Sequence, residues 1–290
     1  MHYIRFTSFL AILFVLLIFS CVSTKRIVRQ DFFNAKYECT WSVNFLEDTI
    51  NMTRGTEDWF ILKIDNNYTH GYNYLQFRLD SFGNLPKDEF HLWLDSKIED
   101  FKNGINFVKE FNASTLCKAR VYKNYEENKL HVIDNINNNF FIIEENLIPQ
   151  DWVIYDETMT IEGYKCQKAE CNWRGRDWIA WFTQEIQINE GPWKFYGLPG
   201  LIIKLHDTKH HYDFCLAGIK NIEEKIDIRP LYTKKINDTS VRKLTNIDRK
   251  KFLRIKFGKK GDLIREAEMA KLGFQSERVD KKYGYIELDY

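Results

Sequence analysis

The stretch Trp193 to Ile203, WKFYGLPGLII, contains three aromatic residues, two glycines, one proline and an aliphatic run, but no carboxylate, histidine, serine or cysteine. Proline fixes φ near about −65° and glycine tolerates positive φ, so Leu198–Leu201 predicts a type II turn centred on Pro199 and Gly200. The apolar run that follows, through Ile203, is typical of a strand buried on both faces. The stretch therefore predicts a rigid corner that leads into a core strand.

Two other interpretations of this corner stay open, namely ligand contact and a place in an active site. Ligand contact would use the aromatic residues of the corner together with tryptophans of the preceding strand, because large rigid rings bind lipid, carbohydrate or peptide well. The candidate ligand-binding residues are Trp178, Trp181, Trp193, Phe195 and Tyr196. The motif that we expect to be structural consists of Gly197, Leu198, Pro199, Gly200, Leu201 and Ile202.

The segment from residue 37 to 220 consists mainly of short runs rich in β-branched and aromatic residues, separated by Asn, Asp and Gly. Strands joined by such short turns can pair only antiparallel. We therefore predict a mainly β protein of the α+β class, built on a curved antiparallel meander sheet that can take the form of an unclosed barrel. The predicted strands are 37–45, 58–65, 119–125, 128–134, 140–144, 151–161, 163–171, 177–186, 200–206 and 211–220.

Two regions have the spacing of amphipathic helices. Between residues 86 and 110, apolar residues recur every three or four positions, which predicts one helix beside the sheet. After residue 240, Asn246–Phe257 and Asp262–Leu272 show the same spacing, so 240–290 is predicted to be a helical C-terminal extension. With no repeat or proline-rich linker, residues 30–290 are expected to form a single domain.

The first twenty residues differ from the rest, because Arg5 precedes an unbroken apolar run from Phe9 to Phe19. Such a run is too short to cross a bilayer as a helix and matches the apolar part of a signal peptide, so we expect residues 1–20 to direct export. Ile18–Cys21 resembles a bacterial lipobox, which would make Cys21 the lipidated first residue of a protein in the periplasm or on the outer membrane. Ordinary cleaved secretion and an uncleaved anchor are the alternatives.

The motif and its surroundings resemble the GLPGLI family of exported proteins from Bacteroidetes bacteria. The resemblance covers roughly residues 150–220 and is supported by Gly163–Ala169, Ala180–Ile186 and Gly191–Phe195. It implies export and an antiparallel sheet. It assigns no activity and no catalytic residue.

Charge and cysteine content limit the classes of function. The chain has 42 Lys and Arg against 41 Asp and Glu, so no overall field attracts nucleic acid. If Cys21 is lipidated, five cysteines remain, and at least one of them is free or paired between chains. No sequence signature of a nucleotide or cofactor site is present, and we expect no cofactor. His206 and His211 are weak candidates for a surface metal site across a predicted hairpin, and a solvated turn is the favoured interpretation.

Three hypotheses of function follow. In the first, the protein is a non-enzymatic envelope protein that binds or carries an apolar or peptide ligand, or assists traffic at the outer membrane. In the second, it is a periplasmic hydrolase of glycan or peptide, for which Glu185 and Glu190 are merely the acids nearest the motif. In the third, it is a scaffold subunit that docks on an outer-membrane receptor. A sheet that encloses a cavity would favour the first hypothesis.

Overall fold

The computed structural model describes residues 32–48, 53–54, 58–74, 77, 89, 119–136, 139–228, 233–236, 240–257 and 286–289. The predicted helix at 86–110 lies outside these residues, apart from Glu89, which is helical. The predicted signal peptide, Cys21, Cys117 and the predicted helix at 262–272 also lie outside them. Residues 32–290 belong to one compact unit.

Strands dominate the part of the chain that is described. They are β1 (Phe32–Asp48), β2 (Thr53–Arg54), β3 (Asp58–Ile64), β4 (Tyr68–Asn73), β5 (Arg120–Asn124), β6 (Lys129–Ile136), β7 (Asn139–Asn146), β8 (Val153–Ile161), β9 (Tyr164–Trp173), β10 (Arg176–Thr183), β11 (Leu201–Asp207), β12 (Tyr212–Asp227), β13 (Thr233–Ile236), β14 (Ser240–Lys243) and β15 (Thr245–Asn246). One described helix, α1, spans Arg249–Phe257.

The strands form one large sheet in the order β15-β7-β6-β5-β4-β3-β1-β12-β11-β10-β9-β8, with β2 paired to β1. All its neighbours are antiparallel except β15 and β7. A separate hairpin consists of β13 and β14. The predicted class and the antiparallel sheet are confirmed. The predicted meander is confirmed and consists of two parts, β3–β7 and β8–β12, which meet on either side of β1.

The sheet must be strongly curved, because a short link joins strands near its two ends. β7 and β8 are ten strand spacings apart in the sheet order, which is about 48 Å if the sheet is flat. Only residues 147–152 connect them, and a fully extended link of that length reaches about 24 Å. The sheet therefore curls until these strands approach each other. No ladder joins β7 to β8 among the described strands, so the barrel is unclosed.

The concave face carries the larger core. One layer runs across six neighbouring strands and is formed by the cross-strand partners Cys39, Leu62, Gly71, Val121, Val132 and Ile143. Its five apolar side chains are nearly inaccessible to solvent. On the opposite face, His70 and Tyr122 stack with ring centroids 4.3 Å apart, and Tyr122 belongs to a second, smaller core cluster.

The motif strand is buried as predicted. β11 begins at Leu201, and Leu201, Ile202, Ile203 and Leu205 have no measurable exposure. The corner before it differs from a regular type II turn. The Gly200 amide donates to the Leu198 carbonyl at 2.8 Å, which closes a tighter three-residue turn around Pro199, and φ at Gly200 is 145°.

Helix α1 begins three residues later than the sequence spacing predicts. Thr245 and Asn246 instead pair in parallel with β7, so the chain is still extended there. Asp248 then caps the helix, since its carboxylate accepts a hydrogen bond from the Lys251 amide at 2.9 Å. None of the described helical segments is long and apolar enough to span a bilayer.

Candidate functional site: a cavity beside the motif loop

The connection between β10 and β11, residues 184–200, is named here the motif loop. It is a long connection, and its segment from Glu190 to Tyr196 is buried against the concave face of the sheet. Backbone hydrogen bonds fix its shape. Gly197 donates to Asn189 at 3.1 Å, and Ile202 donates to Glu190 at 3.0 Å. The motif loop therefore has a fixed backbone conformation and packs against the inner face of the curved sheet.

Glycines allow the motif loop to pack this closely. A Cβ on Gly191 would lie 2.6 Å from Ile202, and a Cβ on Gly197 would lie 2.7 Å from Pro149. At Gly200 the obstacle is backbone, since a Cβ there would lie 2.0 Å from the Thr183 carbonyl oxygen. Gly197 and Gly200 also have positive φ.

Phe195 anchors the motif loop in a box of tryptophans. Its ring centroid lies 4.7 Å from that of Trp178, 4.8 Å from that of Trp173 and 6.1 Å from that of Trp152. The Trp152 indole also donates to the Tyr196 carbonyl at 3.0 Å. Trp152, Trp173 and Trp178 therefore hold the motif loop in place.

The motif loop places one carboxylate, Glu190, beside a buried lysine and a tyrosine from β5 and the turn after it. Lys123 Nζ lies 2.5 Å from Glu190 Oε2 and donates to the Phe195 carbonyl at 3.2 Å. Tyr125 donates its hydroxyl hydrogen to the other carboxylate oxygen. Burial lowers the pKa of Lys123, although Glu190 opposes that shift. Burial and then Glu190 raise the pKa of Tyr125. Both neighbours thus donate hydrogen bonds to Glu190.

A cavity of about 880 Å³ opens beside this group. Its lining mixes chemical types, since apolar, aromatic, amide and charged side chains all contribute. The apolar and aromatic members are Ile64, Pro149, Ile186, Ile188, Ile219, Tyr37, Tyr125 and Tyr196. The polar members are Asp65, Asn66, Gln187, Asn189, Glu190, Lys220 and Asn221, and Gly197 completes the wall. The volume and mixed lining suit a small ligand.

A second group of charged side chains, buried or partly buried, meets the motif loop at Lys194. This group is named here the charge cluster and consists of Glu145, Arg174, Lys194, Arg249, Glu287 and Asp289. Lys194 Nζ lies 2.7 Å from carboxylate oxygens of both Glu145 and Glu287. Arg249 Nη1 lies 2.8 Å from Glu287. Burial opposes the charge of Lys194, but Glu287 and Glu145 outweigh it and raise its pKa. The cluster ties the motif loop to the C-terminal segment.

The structure separates the predicted ligand-binding residues into two groups. Tyr196 lines the cavity, whereas Trp178, Trp181, Trp193 and Phe195 are buried and absent from its wall. Of the predicted structural motif, Gly197 lines the cavity, and Leu198, Gly200, Leu201 and Ile202 are buried. Pro199 is exposed at the tip of the turn.

The structure does not place His206 and His211 opposite each other. His206 pairs across the hairpin with Asp213, not with His211, and His211 Nδ1 lies 2.9 Å from the Arg176 guanidinium. No group of three or more potential metal ligands gathers among the described residues. Cys39, Cys166, Cys171 and Cys215 are free thiols. Burial raises the pKa of Cys166 to about 11 and that of Cys171 to about 12, so neither is a reactive thiolate at neutral pH.

Sequence reasoning missed Lys123 and Tyr125, and it singled out Glu190 only for its nearness to the motif. The sequence does contain a pattern that indicates burial of Lys123. Val121 faces the core, so Lys123, two residues further along the same strand, must face it too. A lysine at a core-facing strand position requires a buried acidic partner.

Comparisons with known proteins place the chain near proteins without a stated activity. A family model described as "Protein of unknown function (Porph_ging)" matches residues 173–204, which include β10 and the motif loop. No curated protein matches the chain. Two solved structures, "Structure of PNGF-II in C2 space group" and "Structure of PNGF-II in P21 space group", each show 17% identity and a TM-score of 0.46 over 75% of this chain and 32% of theirs. The chain thus spans about a third of their length, and this likeness carries no functional conclusion.

Proposed function

We propose that the protein is an exported binding protein that holds a ligand in the cavity beside the motif loop, and that this ligand is a peptide. The same proposal includes export and lipidation of Cys21, which would hold the protein in the periplasm or on the outer membrane. It also includes membership of the chain in the GLPGLI family. The single observation that carries the proposal is a cavity of about 880 Å³ whose wall includes the ordered motif loop.

The chemistry of the wall favours a peptide over an acyl chain. An acyl chain needs an apolar tunnel, whereas this cavity exposes four amide side chains, from Asn66, Gln187, Asn189 and Asn221. Amide groups offer the donors and acceptors that a peptide backbone requires. Isoleucines and tyrosines of the same wall provide apolar contact for side chains.

Blocking the cavity tests this proposal. Asn189 is exposed and lines the cavity, so Asn189→Trp fills the space without disturbing the core. Asn44→Trp, on an exposed position of β1, is the matched control. Native mass spectrometry of protein purified from envelopes should detect a bound peptide mass on the wild-type chain and the control, but not on Asn189→Trp. A bound lipid, or no bound mass together with no thermal shift from a tripeptide mixture, would contradict the proposal.

A hydrolase is the second candidate, and one specific observation favours it. Glu190 is a carboxylate at the cavity wall that receives hydrogen bonds from Lys123 and Tyr125. These two donors fix the orientation of the carboxylate beside the cavity, where a group that acts on a bound substrate would have to stand. Hydrolysis of a labelled peptide or glycan by the wild-type chain, lost in Glu190→Gln at a temperature where circular dichroism shows that variant to be folded, would establish this activity. Docking through the tryptophan-rich face has no comparable support, since Trp178, Trp181 and Trp193 are buried.

A further inference from the structure

The strand β8 (Val153–Ile161) is an exposed end of the large sheet. Among the described strands it pairs only with β9, so one of its edges carries no ladder. Every residue from Val153 to Thr160 is exposed, on both faces of the strand. The ladder with β9 shifts register between Ile154 and Thr158, and Gln167 donates its side-chain amide hydrogen to the Tyr155 carbonyl at 2.8 Å inside this bulge. The strand is therefore ordered but covers no core.

The exposed surface of β8 is unusually apolar for a sheet edge. Half of the large apolar residues that are exposed in the described part of the chain lie on it or just before it. Their exposed fractions are 68% for Ile148, 57% for Val153, 45% for Ile154, 40% for Tyr155 and 46% for Met159. Proteins usually protect an edge strand with lysine, proline or a cover, because a bare apolar edge pairs with other chains. Among the described residues, no lysine on β8, no proline and no covering segment protects this edge. Its bulge and its two acids remain, and they restrict which strand can pair with it.

The charges on β8 decide what kind of strand it recruits. Acidic residues stand at its centre, Asp156 and Glu157, between the apolar pairs at its two ends. Glu157 is paired with Lys168 at 3.2 Å, whereas Asp156 makes no ion pair within the described part of the chain. An incoming strand with basic residues at its centre would complement this pattern, since opposite charges across a ladder stabilise it.

A second copy of the chain fits poorly. Antiparallel self-pairing centred on Glu157 places that carboxylate opposite its own copy, which is destabilising. Centring the pair on Tyr155 instead sets Val153 opposite Glu157 and Ile154 opposite Asp156, so apolar residues face acids. Neither register gives apolar contact and charge balance together.

We propose that β8 is a docking edge for an extended segment of another protein, with apolar β-branched residues at its ends and Lys or Arg at its centre. The segment adds to the sheet as a further strand. Its backbone provides the affinity, while Val153, Ile154, Asp156 and Met159 provide the selectivity. No residue of β8 lines the cavity, so this proposal does not depend on the proposal that the cavity binds a peptide.

The test uses the whole exported chain and two labelled peptides of the same length as β8, nine residues. One has Val at both ends and two Lys at its centre, and the other has two Glu at its centre. Fluorescence anisotropy should show binding of the Lys peptide only. Val153→Lys and Met159→Lys should each weaken that binding by at least about tenfold, since each adds a charge at an apolar contact on the edge.

Ala217→Lys is the matched control, because Ala217 is an exposed residue of β12, which is not an end strand of the sheet. It should bind the Lys peptide like the wild-type chain. Hydrogen exchange of the amides in 153–161 should slow when the Lys peptide is added. Equal binding of the two peptides, no binding of the Lys peptide, or unchanged binding in the β8 variants would overturn the proposal. A dimer that the same variants disrupt in sedimentation would also overturn it and make a second copy the occupant.

Discussion

Gly200 lies so close to Thr183 that a Cβ on the glycine would stand 2.0 Å from the Thr183 carbonyl oxygen. This contact joins the end of β10 to the start of β11 across the base of the motif loop. Because the obstacle is backbone, no side-chain rotation can relieve it. The second glycine of the motif is therefore required by packing, whatever ligand the cavity holds.

We expect Gly200→Ala to destabilise the fold by more than about 4 kcal/mol, because a backbone clash adds to the strain of a positive φ. Gly163→Ala separates these two causes. Gly163 also has positive φ, 83°, but nothing lies within 4 Å of its Cβ position. That variant should lose only about 1 kcal/mol. Urea unfolding of both variants measures the difference, and equal losses would show that the clash at Gly200 is relieved by movement.

Removing the lysine partner of Glu190 should be costly. Lys123→Met leaves a buried carboxylate with Tyr125 as its remaining side-chain donor, and we expect a loss of about 3 to 5 kcal/mol in the free energy of unfolding. Lys129→Met breaks the Lys129–Glu144 pair on the surface, 2.7 Å long, and should lose less than about 1 kcal/mol. Urea denaturation of the two variants checks this. If Lys123→Met loses as little free energy of unfolding as Lys129→Met, water reaches Glu190 in the variant and stabilises its carboxylate.

Much of the fold could be predicted from local sequence. The strand from Leu201 was predicted because its apolar run matches a strand buried on both faces, and that burial was found. β4, Tyr68–Asn73, was missed because its sequence YTHGYN lacks an aliphatic run, although cross-strand partners bury most of it. Helix α1 was placed early because Asn246 keeps helical spacing but pairs with β7.

The candidate site could not be predicted in the same way, because it depends on contacts between distant parts of the chain. Lys123 and Glu190 are 67 residues apart in sequence. Strand order brings them together, and order is set by the pairing of β1 with both β3 and β12, which no local pattern encodes. Trp178 was named from the sequence as a candidate ligand-binding residue, but its contact with Phe195 depends on the path of the motif loop.

Buried histidines make stability depend on pH. Burial, followed by Arg120 and Lys63, lowers the pKa of His70 well below 6.5. Below pH 6.5 the unfolded chain therefore binds a proton that the folded chain does not, and the free energy of unfolding falls as the pH falls. His70→Phe removes this contribution, so its stability should change less between about pH 7 and about pH 5 than that of the wild-type chain. A pH dependence in His70→Phe identical to that of the wild-type chain would contradict the assignment.

Glu287 should hold the C-terminal segment against the motif loop. It is 1% exposed and pairs with Lys194 and Arg249, which outweigh the effect of burial and lower its pKa. The stabilisation that ionised Glu287 gives to the folded chain is therefore complete above pH 4.5, the ordinary pKa of a glutamate, and is lost as the pH falls through its lowered pKa. The stabilisation from charged Lys194 is lost only above pH 10.5, as the pH rises through its raised pKa. Glu287→Gln leaves the charge cluster with one excess positive charge, and we expect a loss of about 3 kcal/mol at neutral pH.

The half-exposed neighbour Leu288 provides the control for Glu287, since Leu288→Ala changes the same segment without changing its charge. It should lose less than about 1 kcal/mol, because an exposed side chain buries little surface. The Leu288 amide donates to the Arg174 carbonyl at 2.7 Å, so its hydrogen exchange reports directly on release of the segment. Exchange should accelerate in Glu287→Gln and stay slow in Leu288→Ala. If both variants exchange alike, the backbone contact at Arg174 holds the segment and the buried ion pairs do not, because only the first variant disturbs the charges.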